Sequence, residues 1–235
     1  MQFKPNFDLL VDWNETKRAV DFASNSAFIS VFKCDNKTLV YMCDRHSHNI
    51  SFNMVDMCFS NDFGIKPDIL LTEMENSDYE RKFSWHGLQN NTLAYAAAVA
   101  TMKKIPVVFS DLSDNQSIEV LKSGFPDMEI TNDVLHRALR AGPTREGKID
   151  IYNKMCDYLG QNGRDRFMLD NIATALNKYD TVFAVFGIGH YEKQRLALED
   201  MMGKPEYITK IKNMRGNFDD VKIEPIKLCD FKFKK

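Results

Sequence analysis

The sequence predicts an α/β fold, a mixed and mostly parallel sheet with helices on both faces, in a single domain. Three observations carry that expectation. Short apolar runs bounded by polar or turn residues recur at 27–34, 38–43, 68–72, 106–110 and 181–186, and their length suits strands. Stretches of helical pattern separate most of them, as crossovers between parallel strands require. The 235 residues, 44% of them hydrophobic, supply enough apolar surface for one sizeable core.

The elements follow in chain order. Ala27 to Cys34 and Thr38 to Cys43 are rich in β-branched and aromatic residues and are separated by Asp35-Asn36-Lys37, which predicts a β-hairpin with a three-residue loop. Asn49 to Phe59 places Phe52, Val55, Met57 and Phe59 in an amphipathic helix, ended by Gly64 and Pro67, and Asp68 to Thr72 is a short buried strand. Thr92 to Lys103 is alanine-rich and almost continuously apolar, a helix expected to be largely buried. Pro106 to Ser110 is the next strand.

A helical insertion over 112–163 follows, with helices at Gln116–Lys122, Asp133–Arg140 and Lys148–Leu159, divided by Gly124-Phe125-Pro126 and Gly142-Pro143. Arg164 to Tyr179 is a further helix with Phe167, Met168, Ile172, Ala175 and Leu176 on one side, Thr181 to Phe186 a buried strand, and Tyr191 to Met202 a helix stopped at Gly203-Lys204-Pro205. Glu206 to Ile211 reads as a last strand of a core spanning about 27–211. The remaining 213–235 reads as an extended edge element, which Pro225 keeps from the sheet centre.

Composition excludes several classes of function. Thirty-one basic and 33 acidic residues balance to a net charge of −2, so no basic footprint for nucleic acid is present; the basic tail from Phe231 to Lys235 reads as a solvated terminus. Cys34, Cys43, Cys58, Cys156 and Cys229 are odd in number and scattered, which fits neither a disulfide framework nor a zinc knuckle and favours a reducing compartment. The apolar stretches Leu93–Met102 and Val182–Ile188 are too short for a membrane span, and no secretory leader pattern opens the chain, so a cytoplasmic protein is expected.

In open α/β sheets ligands bind outside the carboxyl ends of the strands. Asp44-Arg45-His46-Ser47-His48 follow the second strand, Glu73 and Glu75 the third, Asp111 the fourth, and Gly187-Ile188-Gly189-His190 the fifth. His46 and His190, each directly after an apolar strand and before a helix, are the first candidates for a site; Glu73 joins them, and Asp111 is either a member or a turn residue. His48, His86 and His136 read as second-layer, surface or structural residues. Imidazoles with carboxylates suit a borderline divalent metal such as manganese, iron, cobalt or zinc, with His46, Glu73, Asp111 and His190 as ligands, and suit metal-free acid–base activation of water equally well. Gly187-Ile188-Gly189 lacks the third glycine of a dinucleotide loop. Ser24, Ser47 and Ser110 lack a nucleophile-elbow context, and Cys43 lacks an activating partner.

These motifs resemble the superfamily that groups TraB-type proteins, the Tiki metalloproteases, the erythromycin esterases and the haem-binding ChaN proteins. Gly187-Ile188-Gly189-His190 matches the second of its two G-x-x-H motifs; Cys43-Asp44-Arg45-His46 matches the first with cysteine in place of glycine; Pro67 to Glu73 resembles the strand that ends in its glutamate; and Arg164-Asp165-Arg166-Phe167-Met168-Leu169-Asp170-Asn171 resembles its R-D-x-x-M-x-x-N helix start. The resemblance covers residues 27–210 in motif order. It implies hydrolysis of an amide or ester in a small molecule or peptide, with or without a metal. His46 and His190 would be ligands or acid–base groups, Glu73 would hold the metal or polarise water, and Arg164 would steady the developing negative charge or the acidic residues; a helix start with Arg164 and Asp165 equally fits a capping and salt-bridge feature. It equally allows a ChaN-type protein that binds haem without turnover, or an interaction protein with a degenerate site.

Overall fold

The computed structural model describes residues 2–11, 27–46, 49–75, 82–83, 88, 90–142, 150–212, 221–222 and 228. Six strands form one sheet. They are β1 (Phe28–Cys34), β2 (Lys37–Asp44), β3 (Ile69–Glu75), β5 (Val107–Asp111), β6 (Thr181–Gly187) and β7 (Glu206–Ile208). Their order across the sheet is β5-β3-β6-β2-β1-β7; β2, β6, β3 and β5 run parallel, β1 pairs antiparallel with β2, and the edge strand β7 pairs antiparallel with β1 and so runs in the direction of β2. The mixed, mostly parallel sheet expected from the sequence is therefore what the chain forms.

Strand alternation divides the core. Val40, Met42, Phe183 and Val185 point to one face, against α1 (Asn49–Cys58) and the alanine-rich α2 (Thr92–Met102). Leu39, Tyr41, Cys43, Val182, Ala184 and Phe186 point to the other, against α6 (Asp165–Lys178) and α7 (Ile188–Met202). Both faces are covered, which is why the central strands are apolar on both sides. α3 (Asp114–Gly124), α4 (Asn132–Ala141) and α5 (Ile151–Leu159) close over a third cluster with Leu112, Val120, Leu135, Met155 and Phe167, so the insertion over 112–163 carries its own packed interior. Among the described residues no helix is long and apolar enough to cross a membrane.

Several expectations are corrected. The hairpin loop has two residues, not three: Lys37 pairs with Cys34, and Asp35 takes a left-handed φ of 53°. Lys37 is drawn into the strand because its Nζ donates to Tyr179 O at 2.9 Å and to Asp180 Oδ1 at 2.8 Å. β3 continues past Thr72 to Glu75 through a register irregularity opposite β5, so Glu73 lies inside a bulged strand end rather than after it. The expected break around Gly160–Gly163 is absent. A π-helical turn, Gly160–Arg164, joins α5 to α6, with Asp165 N–H donating to Gly160 O. Gly163 serves close packing there, since a Cβ would stand 2.9 Å from Leu112 Cδ1 and 3.1 Å from a Val120 methyl. α7 begins at Ile188 instead of Tyr191, which puts His190 in its first turn. β7 stops at Ile208 rather than Ile211. Of the extension expected over 213–235, Val221–Lys222 (β8) pairs with Lys82–Phe83 (β4) in a separate two-stranded sheet.

Candidate functional site

The carboxyl ends of β2, β6, β3 and β5 meet at one edge of the sheet, and the fold brings His46, Glu73, Asp111, Arg164 and His190 together there. β2 and β6 are neighbours with Asp44 opposite Gly187, so the two histidine motifs leave the sheet side by side. The bulge in β3 aims Glu73 at them, a common use of a bulge beside a site. The π turn carries Arg164 and Asp165 to the same place from the helical side.

Glu73 is the hub. Its Oε1 accepts from Arg164 Nη2 at 2.9 Å and from His190 Nε2 at 3.1 Å, and its Oε2 accepts from the Gly187 N–H at 2.7 Å. Arg164 forks onto Asp111, with Nε to Oδ1 at 2.8 Å and Nη2 to Oδ2 at 2.5 Å, while Leu112 N–H also donates to Asp111 Oδ1 at 2.8 Å. Asp111 thus both anchors Arg164 and shapes the turn; the cap of α3 is Ser113, in a capping box with Gln116. On the far side of Glu73, His190 Nδ1 donates to Asp165 Oδ1 at 2.7 Å.

Both ring nitrogens of His190 therefore face carboxylate oxygens, and both must donate, which makes the ring an imidazolium. Burial works against that charge, but Glu73 and Asp165 outweigh it and raise the His190 pKa to about 10. The same contacts act on the acids. Burial pushes Glu73 up, yet His190, Arg164 and His46 hold it well below the usual carboxylate range, and Asp165 is held down likewise by His190 and Lys193. Arg164 is locked in its charged form by Asp111 and Glu73 despite burial.

His46 is placed differently. Its side chain is 60% exposed, against 14% for His190. Its Nδ1 lies 3.0 Å from Oδ2 of Asp44, which is itself fully buried. That contact raises the His46 pKa, partial burial opposes the rise, and Glu73 adds to it. The backbone of His46 is left-handed, φ 33°, a conformation that costs a non-glycine residue about 1 kcal/mol or more. The turn is pinned by Arg45 N–H donating to Ser51 Oγ at 3.1 Å.

The Nε2 end of His46 reaches toward Glu73 across Gly187. A Cβ built on Gly187 would stand 2.9 Å from His46 Nε2 and 3.2 Å from Glu73 Oε2, so both groups pack against the bare Cα of Gly187. Gly187 has an ordinary backbone, φ −57°; space, not conformation, requires glycine here. The cysteine at the corresponding place in the first motif carries no strain either, because Cys43 sits inside β2 without a positive φ, and burial pushes its thiol up. No protein-family model, no curated protein and no solved structure matches the chain.

The ligand set that the resemblance implies fits a resident metal poorly as it stands. His190 has both nitrogens donating to acids and Asp111 has both oxygens on Arg164, leaving His46 Nε2 and Glu73 Oε2 as adjacent donors. Among the described residues no group of three or more His, Cys, Asp or Glu side chains is arranged to hold a metal ion.

Other candidates separate from this edge. His136, on α4, meets Asp114 at 3.2 Å on the surface of the insertion. His48, His86, Ser24, Ser47 and Cys229 lie outside the described residues. Ser110 is buried within β5. A cleft of about 260 Å³, lined by Val31, Lys33, Met57, Phe63, Ile208 and Lys210 among others, lies toward the amino end of β2, away from the strand-end cluster. Sequence reasoning missed Asp165 and Gln194 as members of the site. The adjacency of Asp165 to Arg164, and the i,i+4 spacing of His190 and Gln194 on one helix, were the signals available.

Proposed function

We propose that the chain is a hydrolase of ester or amide bonds in which His46 is the general base. The observation that carries this reading is the exposed imidazole of His46 with a buried carboxylate at Nδ1 and with its Nε2 end near Glu73 across Gly187. Asp44 stands against Nδ1 as an ion-pair contact, with neither oxygen in a hydrogen bond, and offsets the charge that the ring gains. A water bound at the exposed side of His46 Nε2 is the nucleophile in this reading. His46 takes a proton from that water as its oxygen attacks the carbonyl carbon, and returns the proton to the leaving group. The imidazolium of His190 and the guanidinium of Arg164 hold Glu73 in place, and because Glu73, Asp111 and Asp165 take up their charge, stabilisation of the oxyanion falls to backbone donors. α7 has no side-chain cap, so its amino end adds backbone donors and a favourable dipole.

The same motif order, with all of its strand-end residues meeting at one edge, supports kinship with the TraB, Tiki, erythromycin esterase and ChaN superfamily as part of this proposal. The substrate class is a small molecule or a peptide. Four free cysteines among the described residues favour a reducing compartment such as the cytoplasm.

The test is a panel of activated esters and peptide amides assayed with the purified chain and with His46→Ala. Hydrolysis by the parent, reduced at least about a hundredfold in the variant, is expected. Equal rates in a folded His46→Ala protein sink the proposal. Elemental analysis and an absorption spectrum of protein purified without chelator separate it from the metal and haem readings: a stoichiometric metal or a Soret band assigns the cluster to one of those instead.

A further inference from the structure

Behind His190 a second layer of polar groups runs into the apolar interior. Gln194 sits one helical turn after His190 on α7, with no solvent exposure, facing the cluster that contains Met168, Phe186 and Tyr191. A buried amide there is costly unless both of its ends are bonded. Both are. Its Nε2 donates to Asp165 Oδ1 at 2.9 Å and approaches Met168 Sδ at 3.6 Å, and its Oε1 accepts from the hydroxyl of Tyr41 at 3.1 Å. Tyr41 is itself fully buried on β2, three residues before Asp44.

The direction of this chain is settled by chemistry. Asp165 can only accept, so the amide must present its N–H₂ to it and turn its oxygen to Tyr41, which then must donate. Asp165 has two oxygens and only one serves His190. Oδ1 receives both His190 Nδ1 and Gln194 Nε2; Oδ2 is buried without a hydrogen bond, 3.8 Å from Lys193 Nζ. Without Gln194 the bond that fixes Oδ1 toward His190 is lost, and the carboxylate is free to turn toward the lysine. The ring plane of His190, and with it the contact to Glu73, would turn as well.

We propose that Gln194, with its amide oriented by Tyr41, is a positioning residue that selects Oδ1 of Asp165 for His190 and so fixes the imidazole against Glu73. Neither residue touches the reacting atoms. Their action is felt through Asp165 and His190, in the way that outer partners orient the inner groups of a site. The inference extends the hydrolase reading, but its main test needs no substrate.

That test is a long-range ¹H–¹⁵N NMR spectrum of histidine-labelled protein. In the parent, His190 should show an Nδ1–H signal protected from exchange and shifted downfield by its carboxylate partner. Gln194→Leu, close in volume, should move that signal upfield and speed its exchange. Tyr41→Phe should move it in the same direction by less. The double variant should move it no further than Gln194→Leu alone, because Tyr41 acts through Gln194. An unchanged His190 signal in folded Gln194→Leu overturns the proposal even if the protein melts lower, since a purely structural role predicts lost stability and an unmoved ring. Should Gln194→Leu not fold, Tyr41→Phe decides in the same way. Where an ester or amide substrate has been found, Gln194→Leu should lower kcat about tenfold to a hundredfold with KM little changed. If His46→Ala fails to abolish hydrolysis while the His190 signal still moves, the hydrolase reading has failed and this one has not.

Discussion

Raising the pH through the alkaline range should destabilise the fold through His190. Its pKa is about 10 in the folded chain, against about 6.5 in an unfolded one. Below the unfolded value the imidazole is charged in both states, and its ion pairs with Glu73 and Asp165 contribute fully. Between the two values the folded state holds a proton that the unfolded state has released, so stability falls by about 1.4 kcal/mol per pH unit. Above the folded value the contribution is gone. Across the window from about 6.5 to about 10 the loss approaches roughly 5 kcal/mol, an upper figure because the same contacts also stabilise the two carboxylates. Those acids have the opposite dependence. Glu73 and Asp165 are held low, so their share is present above about pH 4.5 and is lost as the pH falls.

Stability due to this cluster should therefore peak near pH 5–6 and decline toward pH 10. Urea unfolding at several pH values, for the parent and His190→Gln, isolates the residue. Other groups titrate in the same range, so the quantity to read is the difference between the two slopes. Equal slopes from pH 7 to 9.5 would refute the reasoning. So would an NMR titration in which the His190 ring loses its proton near the ordinary imidazole value.

Gly187→Ala should leave thermal stability within about 1 kcal/mol of the parent, since the residue has an ordinary φ and the clashing atom is the end of an exposed imidazole. It should nonetheless remove most hydrolysis by pushing the His46 ring away from Glu73; retained activity, or a large drop in melting temperature, would contradict that reading of the glycine. Arg164→Lys should cost about 2–4 kcal/mol and several degrees of melting temperature, because an ammonium cannot reproduce the fork onto Asp111 together with the bond to Glu73. Calorimetry showing no loss would mean that the fork is not formed in solution. His46→Asn should abolish hydrolysis without lowering stability, because asparagine tolerates the left-handed backbone better than histidine. A markedly less stable variant would show that the Asp44 contact outweighs the strain.

The strand-end residues were legible in the sequence because a parallel sheet forces the carboxyl ends of its strands to one edge. Once 38–43, 68–72, 106–110 and 181–186 were read as strands, His46, Glu73, Asp111 and His190 had to be near one another. Arg164 came from its motif. What stayed hidden depended on helix rotation and local irregularity. Asp165 looked like a capping acid because the π turn that swings it onto His190 leaves no mark in hydrophobic periodicity. Gly160 and Gly163 fell between two expected helices because their use is close packing, against Lys193 and against Leu112 with Val120, and those residues are distant in the chain. Gln194 looked like one more polar residue in a helix, and only Tyr41 on a separate strand explains its burial.

The two histidines, equivalent as sequence motifs, are opposites in the fold. His190 is clamped between two carboxylates and buried, so neither nitrogen keeps a lone pair for a proton or a metal. His46 has one acid at Nδ1 and an exposed ring whose Nε2 lies against Gly187. In the proposed hydrolase the base is therefore His46, and His190 holds a fixed charge between its two carboxylates. A metal-binding role would require His190 to give up a proton and break one of its carboxylate contacts. A ligand bond at His190 would have to replace an ion pair as well as a proton, and that geometry is why the proposal places water activation on His46.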